Sequence, residues 1–386
     1  MNPLPSALPH GSRNLFSAYS FDTLISGAAR LRPQALALRD GGTSVPFGLL
    51  AGQATALVRL LTDCGLRPGE RILLTGGAEA SLVIAIVAAL RGGFEAALAP
   101  LDLEAGELAA FARAINAAAL AGPMAYGALS PAETYFAAAA AAPSIRLLAT
   151  LGPQEIDGAV DLSTAATLRY AAAHPDLGVD LVRPASAEPP PIITFDRIRR
   201  KPVFHRQTTL MAAGLDFVAR ATIGRETPIL STLPPVTFAG LVAGPLAALL
   251  SGAALYLDGP FDAENFLKRR DEAGHAHLII PAAIATEFAG AGIFDGLASA
   301  VLLSRHSAGA AFAVPTAFDS PCPLIDLYAI DETAAIAEPR RAGMVSPPAV
   351  EPHFIGFDDD RVLTVEACSE AGRPLACRGA AVTSEV

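Results

Sequence analysis

The chain has 386 residues, 52 % apolar and 17 % charged, with a net charge of −10. That much apolar surface excludes an intrinsically disordered chain. The acidic balance argues against a nucleic-acid partner, whose phosphates need a spread of lysine and arginine. The length suits one large domain or two or three smaller ones. Cys64, Cys322, Cys368 and Cys377 make no Cys-x-x-Cys pair. They are expected to be reduced thiols in a cytoplasmic protein.

No basic segment followed by an apolar core opens the sequence, so no signal peptide is expected. Residues 1–20 read as a lead-in, 21–31 as a helix, and 35–40 and 43–46 as short strands about Gly41-Gly42. Over 47–64, Leu49, Leu50, Ala54, Leu57, Leu60 and Leu61 recur three and four apart. This spacing predicts an amphipathic helix stopped by Gly65. Strands over 71–75 and 95–100 alternate with helices over 80–90 and 103–119. Glu104 and Glu107 stand in the first turn of the second helix, where its dipole favours anions. Such alternation predicts a parallel sheet covered on both faces. A helix over 133–142 and a strand over 145–150 follow, and 152–191, rich in Pro, Gly, Asp and Ala, reads as a connection.

Residues 192–195 read as a buried strand running into the densest cationic cluster of the chain, Arg197, Arg199, Arg200 and Lys201. Helices are expected over 207–221, 238–250, 263–273, 282–289 and 309–318, and strands over 228–233, 253–257, 277–280, 300–304 and 324–328. The span 227–257 carries no charged residue and is long enough to cross a bilayer. Pro228, Pro234, Pro235, Pro245, Gly240, Gly244 and Gly252 interrupt it, so no membrane span is expected. Beyond residue 338, short alternating segments over 353–357 and 362–367 suggest a β appendage. The expected class is α/β: two consecutive α/β units, 1–180 and 181–337, with mostly parallel sheets flanked by helices. A small C-terminal β subdomain, 338–386, completes it.

Motifs of chemistry are sparse. His275-x-His277 has no acidic or cysteine companion at metal spacing. Ser304, His306 and Asp326 compose a triad on paper, but no Gly-x-Ser-x-Gly elbow supports it, and it is not adopted. Asp358-Asp359-Asp360 lacks the alternating spacing of a calcium loop.

Four ordered landmarks carry a resemblance. Gly65-Leu66-Arg67-Pro68-Gly69-Glu70-Arg71 precedes an apolar strand, and Leu90-Arg91-Gly92-Gly93 is followed by Ala99-Pro100-Leu101-Asp102. Leu230-Ser231-Thr232-Leu233-Pro234-Pro235 runs on to Gly240-Leu241 and Gly252-Ala253, and Leu327-Tyr328-Ala329-Ile330-Asp331-Glu332-Thr333 comes last. In order and spacing, from about residue 20 to 370, the chain resembles the large N-terminal domain of the adenylate-forming acyl- and aryl-CoA synthetases. The resemblance implies ATP or AMP and Mg²⁺ as cofactors, and a small carboxylic acid or acyl thioester as substrate. Lys201 matches the family's phosphate-loop lysine, Tyr328 its adenine-stacking tyrosine, and Glu332 its Mg²⁺ ligand. Asp331 and Thr333 flank that glutamate in the nucleotide segment. The implied substrate pocket is walled by Thr237, Phe238, Ala239 and Gly240 and by Ser304 to Ala308.

The departures are specific. Phe195 and Lys201 are joined by Asp196-Arg197-Ile198-Arg199-Arg200, without the glycines and hydroxyls that cradle phosphates in the family. Asp331 replaces a threonine that contacts the α-phosphate, and a carboxylate repels phosphate. Ala329 replaces a glycine, and no histidine stands at 235–238. The sequence stops about where the family's ribose-binding aspartate and mobile lid domain would follow, so the lid is expected to be absent. The favoured expectation is a synthetase-like protein without full adenylation activity that binds an acid, a nucleotide or a protein partner between its α/β units. Alternatives are an active ligase with its lid supplied by another polypeptide, and a scaffolding subunit without ligand.

Overall fold

The computed structural model describes residues 19–154, 156–174, 188–307, 316–341, 344–345, 353–354, 361–366 and 376–383. Two large sheets organise them. One runs, from edge to edge, β7 (Val160–Asp161), β6 (Leu147–Thr150), β5 (Ala119–Gly122), β3 (Arg71–Thr75), β4 (Glu95–Ala99), β8 (Ile192–Asp196) and β9 (Lys201–His205). All are parallel except the edge strand β9. The other runs β15 (Ala334–Pro339), β14 (Leu324–Ile330), β13 (Ser299–His306), β12 (His277–Pro281), β10 (Ile229–Ser231), β11 (Leu255–Leu257), β1 (Leu36–Asp40) and β2 (Thr43–Pro46). Only its edges, β15 and β2, are antiparallel. A third, antiparallel sheet holds β16 (His353–Phe354), β17 (Arg361–Glu366) and β18 (Ala376–Arg378), in line with the expected β appendage.

Side-chain alternation separates the layers. On β3, Ile72 and Leu74 face the core shared by both sheets, and Leu73 faces the opposite side. The shared core contains Leu82 to Leu90 of the helix Ala80–Arg91, Met211 and Phe217 of Gln207–Arg220, and Phe238 to Leu246. A helix buried on every side cannot show amphipathic periodicity, which is why 80–90 reads as an unbroken apolar run. Each fully buried Leu, Ile or Phe there is worth about 1.5–3 kcal/mol. Helices Ala105–Ala114 and Ala132–Ala141 cover the far face of the first sheet, and Phe266 and Phe294 cover that of the second. The stack is helix, sheet, helix, sheet, helix.

Sheet membership does not follow a division at residue 180. β1 and β2 belong to the later sheet, and β8 and β9 extend the earlier one. Parallel pairing needs crossovers, and long crossovers let distant segments share a sheet. The expected helix over 103–119 ends at Ala114, because Asn116 takes a left-handed φ of 50° and β5 follows. The expected connection 152–191 contains β7 and the helix Thr164–Ala173, whose start is capped by the Ser163 hydroxyl accepting from the Ala166 N–H. β9 and β15 were not expected: β9 opens on the cationic turn, and β15, buried from Ala334 to Glu338, shows no alternation. Most of the helix expected over 309–318, and Asp358-Asp359-Asp360 and Cys368, lie outside the described residues; 316–318 are not helical.

The run 227–257 folds inside the second unit. Its buried helix starts as Phe238–Leu241, widens into a π turn at Val242–Leu246 and continues as Ala247–Ser251. Pro245 has no N–H to give an α-helical bond, and the widened turn accommodates it. Among the described residues no helix is long and apolar enough to cross a membrane. The two histidines of 275–277 are structural. His277 Nδ1 lies 2.8 Å from Ser299 Oγ, and His275 Nδ1 lies 3.0 Å from the Gly296 carbonyl.

Candidate functional site

The cationic segment is a tight hairpin. β8 and β9 pair antiparallel with Asp196 opposite Lys201, so only four residues make the turn. Asp196, 2 % exposed, accepts the backbone N–H groups of Ile198 at 2.9 Å and Arg199 at 3.0 Å. Arg200 closes the turn with φ 52°. The Asp196 carboxylate thus accepts the turn's backbone N–H groups in the way a phosphate accepts those of a glycine-rich loop.

The arginines of the turn are matched to carboxylates of the same chain. Arg197 pairs with Asp102 at 2.9 Å and Arg200 with Glu107 at 2.7 Å. Arg199 spans two buried aspartates, Asp196 and Asp331, at 3.2 Å each. Asp331 sits in the turn between β14 and β15 with φ 45°, and its N–H donates to the His306 carbonyl at 2.8 Å. Lys201 begins β9, half-buried.

Behind Arg199 lies a second polar chain. Glu332, 8 % exposed, accepts the Phe238 N–H at 2.6 Å and so caps the helix that Phe238 begins. Burial pushes its carboxyl up to about 7, although the Phe238 N–H and the Thr194 hydroxyl oppose the shift. Thr194 Oγ1 lies 2.8 Å from His205 Nε2, and His205 Nδ1 lies 2.7 Å from Thr383 Oγ1. Burial takes His205 down to about 3, so its imidazole is neutral. The ring leans on Phe238 at 5.0 Å. The Thr383 N–H donates to the Thr333 carbonyl at 2.9 Å, and the Thr333 hydroxyl donates to the Ile330 carbonyl at 3.0 Å.

The residues implied as pocket walls at 237–240 have structural work. Thr237 caps the helix by accepting the Gly240 N–H at 3.1 Å. A Cβ on Gly240 would lie 2.3 Å from the Pro234 carbonyl oxygen, so only glycine fits there. Phe238 and Ala239 are buried. Tyr328 is fully buried within β14; burial first, and the Asp326 carboxylate second, push its phenol up. Its ring meets His306 at 5.5 Å rather than an open face. Ser304, His306 and Ser307 remain partly exposed at the carboxyl end of β13, and Ala308 lies outside the described residues. Ser304 Oγ is 2.9 Å from His306 Nε2. Asp326 does not join them: Arg340 holds it in a bidentate pair at 2.8 and 2.9 Å.

The structure therefore joins Lys201's hairpin, Asp331, Glu332, Thr333 and the start of the helix at Phe238, with Ser304 across β13–β14. It sets Tyr328 apart as core. Sequence reasoning missed Asp196, Arg199 and His205 as site residues. Asp196 heading an arginine-rich turn was an available signal; nothing local marks the pairing to Asp331.

The architecture is that of the large N-terminal domain of the adenylate-forming acyl- and aryl-CoA synthetases. The apo structure of MbtA from Mycobacterium smegmatis matches with a TM-score of 0.72 at 17 % identity, over 99 % of this chain and 71 % of that one. A putative long-chain-fatty-acid CoA ligase from Rhodopseudomonas palustris CGA009 matches at 0.69 and 15 %, over 94 % and 89 %. ATP-bound MatB from Rhodopseudomonas palustris matches at 0.66 and 16 %, over 94 % and 71 %. No family model matches the sequence, and neither does any curated protein.

Proposed function

We propose that the chain is a synthetase-like protein that does not adenylate, and that its remaining binding capacity lies at the carboxyl end of β13, around Ser304 and Ser307. The observation that carries this reading is Arg199 bound between Asp196 and Asp331. MatB holds ATP on the same fold. In this chain the segment aligned with the phosphate loop is bonded to internal carboxylates. A triphosphate there would have to displace these ion pairs and face two buried aspartates, a repulsion of several kcal/mol at short range in a poorly solvated site. Glu332, the implied Mg²⁺ ligand, is engaged by the Phe238 N–H and holds a proton part of the time at neutral pH. These residues do not fit a Mg²⁺–triphosphate. Tyr328 offers no open ring for an adenine.

Pyrophosphate exchange with a panel of aliphatic and aromatic acids tests the assignment. No exchange is expected, and calorimetric titration with millimolar ATP·Mg²⁺ is expected to give no binding heat. Clear exchange by the isolated chain, or ATP binding lost on Lys201→Ala, would restore the ligase reading. The ligand class on this view is an acyl or aryl group. A cytoplasmic location belongs to the same proposal.

A further inference from the structure

We infer that Ser304 and His306 form a nucleophile–base dyad that accepts an acyl group from an activated ester or thioester. The inference rests on the reading of this strand end as an acyl site. Its basis is geometric. Ser304 and His306 stand two apart on β13, so both side chains leave the same face of the strand. The hydroxyl is 2.9 Å from Nε2, the separation a general base needs to take a proton from a serine. Both residues are partly exposed, and they sit at the carboxyl end of an inner parallel strand, the edge at which α/β sheets present ligands.

Three features keep the pair in place and chemically apt. The Tyr328 ring leans on the imidazole at 5.5 Å. The His306 carbonyl is pinned by the Asp331 N–H at 2.8 Å. Burial lowers the His306 pKa, so the ring is the neutral base at pH 7. Asp326 is committed to Arg340, so the unit is a dyad and not a triad, and slow turnover is expected of it. The strand end exposes the serine, a task that a strand–helix elbow performs elsewhere.

The reaction balances without a cofactor. His306 Nε2 takes the Ser304 proton as Oγ bonds to the acyl carbonyl carbon. The bond from that carbon to the leaving sulfur or oxygen breaks, and the imidazolium returns the proton to the departing thiolate or alkoxide. Water, deprotonated by the same imidazole, then attacks the acyl-serine. It releases a carboxylic acid and restores the Ser304 hydroxyl.

The test uses the full chain and three probes: a fluorophosphonate, p-nitrophenyl butyrate, and the butyryl thioester of N-acetylcysteamine. The expected result is one fluorophosphonate per chain, mapped to Ser304 by peptide mass spectrometry, and a burst of one p-nitrophenolate per chain. Comparing the ester and thioester arms identifies the preferred leaving group. Ser304→Ala should abolish labelling without a change in melting temperature. His306→Ala should slow it by about 100-fold, with partial rescue by added imidazole. The labelling rate should rise with pH through the His306 titration in the native chain and lose that step in His306→Ala. Should Ser304→Ala not fold, Ser304→Cys serves: it should shift the label to a thiol-reactive acyl transfer at the same position. No labelling, labelling elsewhere, or labelling indifferent to His306 overturns the dyad. Pyrophosphate exchange on the same sample reads the non-adenylating assignment separately, so either can fail alone.

Discussion

Arg199 carries more of the argument than Lys201, the residue that the family pattern singles out. A lysine at that position is compatible with either a phosphate site or a solvated loop. An arginine shared by Asp196 and Asp331 has its charge matched by carboxylates of the same chain. Removing it takes one cation from two buried carboxylates, 2 % and 3 % exposed. Arg199→Ala is therefore expected to destabilise the chain by about 2–3 kcal/mol, below the figure for a fully buried pair because the guanidinium is one-third exposed. Urea unfolding measures it, and a loss under 0.5 kcal/mol would mean that the ion pair is an ordinary surface contact. The absence of glycine and hydroxyl residues between Phe195 and Lys201 was legible in the sequence. The partners Asp102, Glu107 and Asp331 were not, because pairs made across a fold leave no local trace.

Among the elements, the turn joining β14 to β15 and the start of the helix at Phe238 are the least tolerant of change. Glu332 and Thr237 both accept N–H groups of that helix start, and Gly240 lets it approach the Pro234 carbonyl. Gly240→Ala is expected to cost about 1–3 kcal/mol by forcing the backbone apart, read as a lower melting temperature. An unchanged midpoint would show that the helix start has room to move. Glu332→Gln keeps an acceptor for the Phe238 N–H while removing the charge. It should raise stability most at pH 8, by less at pH 6, and change little only near pH 4, where both states are protonated. The elements with clear helical or strand patterns, such as 47–64 and 71–75, were readable from residues alone. β9 and β15 were not, since an antiparallel edge strand is recognised by the neighbour it pairs with. The helix Thr164–Ala173 announced itself only through Ser163, a cap hidden in a stretch of Pro, Gly and Ala.

For the whole molecule, buried ionisable groups set an unusual pH profile. Burial raises Glu332 and Glu79 to about 7 and Asp258 to about 6, with Asp40 adding to the rise of Glu79. A carboxyl raised in the folded state binds more protons folded than unfolded, so stability falls as pH climbs from the unfolded value near 4 through the folded one. Burial lowers His205 to about 3 and His277 to about 4. These bind more protons unfolded, so stability falls as pH drops below about 6.5. From about pH 5 to 7 the three carboxyls lose more stability than the two histidines return, so the expected profile falls over that range, with the fall flattened in the double variant Glu79→Gln, Glu332→Gln. Denaturation midpoints between pH 4 and 9 test it, and a steady rise up to pH 8 would contradict it. The sequence by itself determined that the chain is α/β and that no glycine or hydroxyl residue stands between Phe195 and Lys201, because composition, periodicity and residue identity are local properties. Tertiary structure decided which strands share a sheet, what the arginines hold, and that Tyr328 is core. Those depend on contacts between residues far apart in the chain, which come together only when the two sheets close on their shared helical layer.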